Sequence, residues 1–323
     1  MVDPAPGATT EATPIAVVLA TRNCAVGADL AARSVMASRY PAFRLFVVDQ
    51  SADDSTTNAL QHFADDRRVT VERMQARGLA AARNFGVART DAPIIAFTDD
   101  DCEVEPDWMR AIATAFASDE RIGIVFGAVR AASYDRGAGF IPAYAMNRAL
   151  TVRSISRKAR IEGLGACMAV RRSAWQLLNG FDELFGAGAP LRSGEESDFT
   201  MRALLRGFSA HETPAAAVTH HGFRTWGEGI ILIDGYMFGL GAANAKMLRL
   251  GGLPALKPVA ELAWRWLTGE PVVDLNHRPP RLRRLAAFLR GTWWGFRMPL
   301  DTATGRFKSG HESIALMNEA AAR

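Results

Sequence analysis

Pro93-Ile94-Ile95-Ala96-Phe97-Thr98-Asp99-Asp100-Asp101 is an apolar run closed by three consecutive carboxylates. Ile94 to Phe97 is too short for a helix of its own and reads as a buried strand. Ligands of open α/β sheets bind beyond the C-terminal ends of the strands, and that is where the aspartates fall. Like charges in a row repel, so something must offset them. A hard cation such as Mg²⁺ or Mn²⁺ suits the position, because it takes carboxylate oxygens together with substrate phosphates. A solvated turn or a helix N-terminus is the other reading, since Pro106-Asp107-Trp108 follows closely.

Working outward, Ile15 to Ala20 is a second continuous apolar run, the pattern of a strand buried on both faces of a parallel sheet. Phe43 to Val48 is a third, ending in Asp49-Gln50-Ser51. Helices are predicted over about residues 27–39, 56–63, 79–89 and 106–117, the last with Pro106 in its first turn, and strands over 69–73 and 122–126. Strands alternating with helices of this length predict an α/β chain built on a parallel sheet. The ends of the first two strands, Thr21-Arg22-Asn23 and Asp49-Gln50-Ser51, then lie on one edge beside the aspartates. Asp49 suits a ribose hydroxyl or a base N–H there, or else closes an Asx-turn. Neither glycine fingerprint for phosphates, GxGxxG or GxxxxGK[ST], follows the first strand, which disfavours dinucleotide oxidoreductases and P-loop enzymes.

With 323 residues, 49% hydrophobic and 22% charged, the chain is globular in composition. A net charge of +4 permits anionic small molecules or a membrane surface and makes no case for nucleic acid. Cys24, Cys102 and Cys167 are widely spaced, which supports neither a disulfide framework nor a zinc site and suits a cytoplasmic location. The opening residues lack the basic and apolar regions of a secretory leader. No apolar stretch reaches the ~18 residues of a membrane span; Gly229 to Leu240 comes nearest, and Asp234 interrupts it.

Four segments together resemble the family 2 glycosyltransferases, whose fold is the GT-A nucleotide-sugar fold. Ile15 to Asn23 is similar to that family's opening strand, and Phe46 to Thr56 to its VVD-x-S-x-D-x-[ST] segment. Arg77 to Ala88 is similar to its G-x-[AS]-x-ARN-x-G helix, and Ile94 to Met109 to its metal-binding strand with the helix after it. The resemblance implies a mixed, mainly parallel sheet flanked by helices. It implies that Thr21, Arg22 and Asp49 contact the nucleoside, that Arg83 and Asn84 lie near the diphosphate or sugar, and that Asp99, Asp100 and Asp101 bind donor and metal. Asp101 is then the direct metal ligand and Asp99 its companion. Without the motif, Arg83 would read as a surface charge on a helix.

The second half extends the likeness. Gly163 to Arg172 resembles the family's acceptor-side strand, Asn179 to Glu183 its GGFDE turn, and Gly194 to Arg202 its G-E-D-x-D-[LF]-x-x-R segment. Where the family has Glu-Asp, this chain has Glu195-Glu196. The resemblance implies an inverting transfer with one base to take the acceptor's proton. Glu196 is assigned that role, with Glu195 or Asp198 as substitutes; helix capping is the other use for these three. His220-His221 matches the place of a further metal ligand. Neighbours on an extended segment point oppositely, which singles out one of them, and His220 is chosen.

The resulting expectation is a disordered tail over residues 1–13 and a GT-A catalytic domain over 14–225, divided at 130 into nucleotide-sugar and acceptor halves. A helical extension follows over 226–323. Within it, Arg281, Arg283, Arg284, Arg290 and Arg297 alternate with Leu282, Leu285, Phe288, Leu289, Trp293 and Trp294. Such a helix lies on an anionic membrane surface or packs on the catalytic domain. The implied function is a metal-dependent inverting glycosyltransferase of the cytoplasm, with peripheral contact to the inner face of the cell membrane as an option and envelope polysaccharide or glycolipid synthesis as its setting. Its donor is a nucleoside-diphosphate sugar and its acceptor the hydroxyl of a glycan or lipid-linked glycan. A sugar-phosphate nucleotidyltransferase and a non-catalytic nucleotide-sugar-binding subunit are the alternatives.

Overall fold

In a computed structural model, residues 12–268 and 280–308 are described. Residues 1–11 of the expected tail over 1–13, and residues 269–279 and 309–323 of the extension, lie outside them. The first half runs β1 (Ile15–Thr21), α1 (Ala25–Met36), β2 (Phe43–Asp49), α2 (Ser55–Ala59), β3 (Val69–Arg73), α3 (Leu79–Val87), β4 (Ile94–Asp99), β5 (Cys102–Val104), α4 (Trp108–Ser118) and β6 (Ile122–Ala131). The second runs β7 (Gly139–Phe140), β8 (Leu150–Val152), β9 (Met168–Arg171), α5 (Arg172–Leu178), α6 (Glu195–Leu205), β10 (Ser209–His220), β11 (Arg224–Thr225), α7 (Trp226–Gly251), α8 (Leu253–Thr268) and α9 (Arg281–Arg297).

Nine strands form the main sheet, in the order β3-β2-β1-β4-β9-β6-β10-β5 with β8 paired to β10. β1 is parallel to β2 and β4, β2 to β3, and β6 to β10. The sheet is the expected mixed, mainly parallel α/β assembly, and β5 and β8 pair antiparallel with β10. β9 enters antiparallel between β4 and β6, and its pairing partners belong to the first half of the chain. Two corrections concern helices. The stretch 56–63 splits, α2 ending at Ala59 and Gln61–Phe63 forming a 3₁₀ turn. Pro106 precedes the N-cap Asp107 of α4 instead of entering its first turn.

Alternation along buried strands sends successive side chains to opposite faces. Ala16, Val18 and Ala20 of β1 join Phe97 of β4, Trp175 of α5 and Phe199 of α6 in one core. Ile15, Val17 and Leu19 join Ala96, Val35 of α1 and Trp108 of α4 in the other. Register also fixes the chemistry's position. Thr21 pairs with Asp49, and Ala20 with Asp99, so the polar ends of β1, β2 and β4 form one edge. His220, the last residue of β10, pairs antiparallel with Cys102, which brings it beside Asp101.

The extension is tied to the catalytic half through α6 and the loop after α5. Thr225 and Glu228 close a capping box at the start of α7. α7 and α9 cross closely; a Cβ at Gly241 would strike the Phe288 carbonyl. Lys246 of α7 reaches back with its ammonium 2.6 Å from Asp182 Oδ2 and 2.7 Å from Asp198 Oδ1. α9 is the packed helix of the two readings along one side. Arg284, Phe288 and Trp294 are buried, so Arg284 and Trp294 cannot belong to a membrane-facing set. Arg283 donates from Nε to Asp234 Oδ2 at 2.7 Å. Leu282, Leu289, Trp293 and Phe296 remain exposed. Among the described residues no helix is long and apolar enough to cross a membrane.

Candidate active site

One cleft opens on the strand edge. Thr21, Arg22, Arg83, the three aspartates, Glu195, Glu196 and His220 all line it. The sheet ends supply the first members, α3 supplies Arg83, the first turn of α6 supplies the two glutamates, and β10 supplies His220.

Each aspartate has a different partner. Asp99 Oδ1 accepts from Arg83 Nη2 at 2.8 Å. Asp100 Oδ2 accepts from the Thr21 hydroxyl at 2.7 Å; burial, and then the charges of Asp101 and Asp99, push its carboxyl up to about 6 against that bond. Asp101 Oδ1 lies 3.2 Å from His220 Nε2, and its Oδ2 lies 3.6 Å from Arg224 Nη2. Burial would raise Asp101, but the hydrogen bond and charge of His220, with Arg224, outweigh it and hold the carboxyl below its ordinary value.

Asp101 and His220 fit a divalent cation. His220 Nδ1 lies 2.6 Å from the Pro142 carbonyl. An imidazole that donates from Nδ1 turns the lone pair of Nε2 toward the Asp101 carboxylate. That arrangement asks for a proton or a metal ion between them. A Cβ at Gly222 would strike Asp101 Oδ2 and come within 2.6 Å of His220 Nε2, so only glycine leaves this cradle open. Cys102 is close enough to complete a group of three. Burial, followed by the charges of Asp99 and Asp101, pushes its thiol far up, and a protonated thiol is a poor ligand. His221 faces away, its Nε2 2.6 Å from Glu103 Oε1.

At the other wall, Arg83 is 1% exposed and bridges Asp99 to Glu195, its Nη1 3.2 Å from Glu195 Oε1. It is an interior tie between the aspartate loop and α6, not a surface charge. Burial, then the charge of Glu196, raises Glu195 to about 8. Glu196 lines the cleft, and its buried Oε2 has no hydrogen-bond partner.

Three candidates stand elsewhere. Asp198 is fully buried on the far side of α6, where Arg202 Nε donates to it at 2.9 Å and Lys246 Nζ at 2.7 Å. Two residues along a helix turn through about 200°, so Asp198 points away from the Glu196 side, and its ties to Arg202 and Lys246 make it structural. Asn84 is likewise withdrawn from the sugar. Its side chain donates to the Phe181 carbonyl and Glu183 and accepts from the Phe181 N–H, holding the GFDE turn. Asp49 is buried beneath the edge; its Oδ1 accepts from Ser51 N–H at 2.9 Å, closing the Asx-turn. Its Oδ2 has no hydrogen-bond partner.

Sequence reasoning missed Tyr236, Arg224 and Arg192, which also line the cleft. Tyr236 and Arg224 come from α7 and β11, where the motif likeness had thinned. Arg192 sits at φ 66°, a left-handed backbone that costs a non-glycine residue free energy and recurs at ligand-binding sites.

A family profile described as "Glycosyl transferase family 2" matches residues 16–178. Glycosyltransferase AglE of Haloferax volcanii is 28% identical over 106 residues, 31% of this chain and 34% of that protein. The chain thus spans about a third of the length of this curated relative. Among solved structures, S. aureus TarS 1-349 superposes with a TM-score of 0.64 at 14% identity, covering 88% of this chain and 81% of that one. The mannosyltransferase PcManGT from Pyrobaculum calidifontis, in complex with GDP-Man and Mn²⁺, gives 0.61 at 19% identity, covering 97% and 81%. At these identities the likeness concerns the fold, which is GT-A.

Proposed function

The chain belongs to glycosyl transferase family 2 and is a glycosyltransferase, and from that premise we propose that it moves a sugar, with inversion and metal dependence, from a nucleoside-diphosphate sugar to a hydroxyl acceptor. Family membership favours this reading over a nucleotidyltransferase, and the cleft's Asp101, His220 and Glu196 favour it over a non-catalytic binder. The observation that carries the proposal is that one cleft holds both the open Asp101–His220 cradle and the partnerless Glu196 oxygen. TarS with UDP-GlcNAc and PcManGT with GDP-Man and Mn²⁺ support a donor and a cation of this kind.

Thr21 and Arg22 border the nucleoside end, with Asp49 buried beneath them, and Arg192 and Arg224 offer cationic groups to the diphosphate. Asp101, Asp99 and His220 would hold Mg²⁺ or Mn²⁺, which supplies Lewis-acid stabilisation of the departing diphosphate. Glu196 takes the proton from the acceptor hydroxyl. The acceptor oxygen bonds to the anomeric carbon as the carbon–oxygen bond to the diphosphate breaks. Burial, then the charge of Glu196, raises Glu195 to about 8 and favours its neutral form near neutrality. We extend the proposal to envelope polysaccharide or glycolipid synthesis, with the exposed Leu282–Phe296 stripe of α9 resting on the inner membrane face.

The test is a thermal-stability screen of nucleotide sugars with and without Mn²⁺, followed by turnover of the stabilising donor. Asp101→Asn should lower the metal-free melting temperature, through the weakened pairing with His220 and Arg224, and abolish the metal-dependent rise above it. Full turnover in excess chelator, or in Asp101→Asn, would remove the metal from the mechanism.

A further inference from the structure

Beyond Glu196 the cleft continues into a second chamber, reached past Pro142, Leu164, Ser193 and Tyr236, which border both spaces. Its walls are Phe126 of β6, Ile161 and Leu164 of the loop before β9, Leu240 and Ala243 of α7, and Leu262 of α8. The extension therefore completes a space that the catalytic half leaves open. Four polar groups in this lining are already engaged with the protein. Lys158 Nζ donates to the Ile161 carbonyl at 3.1 Å, Ser193 Oγ to the Gly235 carbonyl at 3.2 Å, and Thr200 Oγ1 to the Glu196 carbonyl at 2.7 Å. Glu162 is paired with Arg265 at 2.5 Å. Free polar groups remain on Ser197, Glu196 and Tyr236, and a sugar pushed past them into the apolar walls would bury hydroxyls without partners, which costs free energy for each one left unpaired. An alkyl or aromatic group would lose nothing and gain apolar contact.

We propose that this chamber binds the apolar portion of the acceptor, an alkyl or aryl group carried next to the attacking hydroxyl. Such an occupant places the hydroxyl at the chamber mouth, beside Glu196, which borders both spaces. The aspartates and His220 lie in the cleft and not in the chamber, so donor and acceptor approach the anomeric carbon from different spaces. The acceptor class is thereby narrowed to amphiphilic glycosides and lipid-like alcohols, which deepens the transferase reading and rests on it.

The experiment is isothermal titration of the full chain with methyl, hexyl and octyl β-D-glucoside below micellar concentration. UDP and GDP with Mn²⁺ are titrated separately. Affinity should rise about fourfold per methylene from hexyl to octyl, and methyl glucoside should bind far more weakly. Leu240→Gln should flatten the chain-length dependence and Leu240→Met should preserve it; both should leave nucleotide binding unchanged, because Leu240 does not line the cleft. Equal affinity across the series overturns the proposal. So does octyl glucoside binding undiminished in Leu240→Gln, which would put the alkyl group elsewhere. Alkyl binding without any nucleotide binding would leave the chamber standing and sink the transferase reading; nucleotide binding without alkyl binding would do the reverse.

Discussion

Replacing Lys246 by methionine tests how the extension supports the catalytic half. The ammonium is 0% exposed and lies 2.6 Å from Asp182 and 2.7 Å from Asp198, themselves 2% and 0% exposed. Methionine keeps the length of the stem and deletes the charge, leaving two buried carboxylates short of a cation. Breaking a buried pair from one side costs about 3–5 kcal/mol. Both carboxylates keep other partners. Asp182 still accepts from the Phe307 N–H at 2.7 Å, and Asp198 still pairs with Arg202 at 2.9 Å. That places the cost at the lower end, about 3 kcal/mol or roughly 150-fold in the folded-to-unfolded ratio. Urea unfolding followed by circular dichroism measures it. The pH dependence carries a second signature. Burial alone would raise Asp182, but the charge and hydrogen bond of Lys246 hold its carboxyl below the ordinary value. A depressed carboxyl contributes stability that is full above its unfolded value, ~3.9, and is lost as pH falls through the folded value. The deficit of Lys246→Met should therefore narrow below about pH 4. Adding Asp182→Asn should recover part of the loss at pH 7. A deficit under about 1 kcal/mol, or one that ignores pH, would refute this account of the buried network.

Two further outcomes follow from the glutamates. Glu196→Gln should keep nucleotide binding and lose about 10²–10⁴-fold in turnover; normal turnover beside a dead Glu195→Gln would move the base by one residue. Glu195, raised to about 8, contributes stability below its unfolded value of ~4.3 that fades as pH rises through 8. Denaturation of Glu195→Gln against wild type should shift in the variant's favour from pH 5 to pH 8 and level off beyond, and a flat difference would show Glu195 ionised throughout.

The strand runs were legible because burial on both faces leaves an uninterrupted apolar signature that needs no knowledge of partners. β1, β2 and β4 and the polar residues at their ends came from that signature alone, and the resemblance of four ordered motifs carried the family. The pairing of β9 was not legible. An apolar strand reads the same in either direction, and its direction is set by neighbours far along the chain.

The division is sharpest in the carboxylates. Glu195, Glu196 and Asp198 are chemically alike in the sequence, and only the tertiary structure separates them. Helix geometry turns Asp198 toward Lys246, 48 residues away, and into the core. Glu195 meets Arg83, 112 residues away, and Glu196 is left with a free oxygen on the cleft. Asn84 shows the same effect, taken up by Phe181 at a separation of 97 residues. By itself the sequence determined which residue types stand at the strand ends, because that depends on local order and periodicity. Which of them face the cleft was decided by long-range contacts, since a buried charge or amide must find a partner wherever the fold provides one.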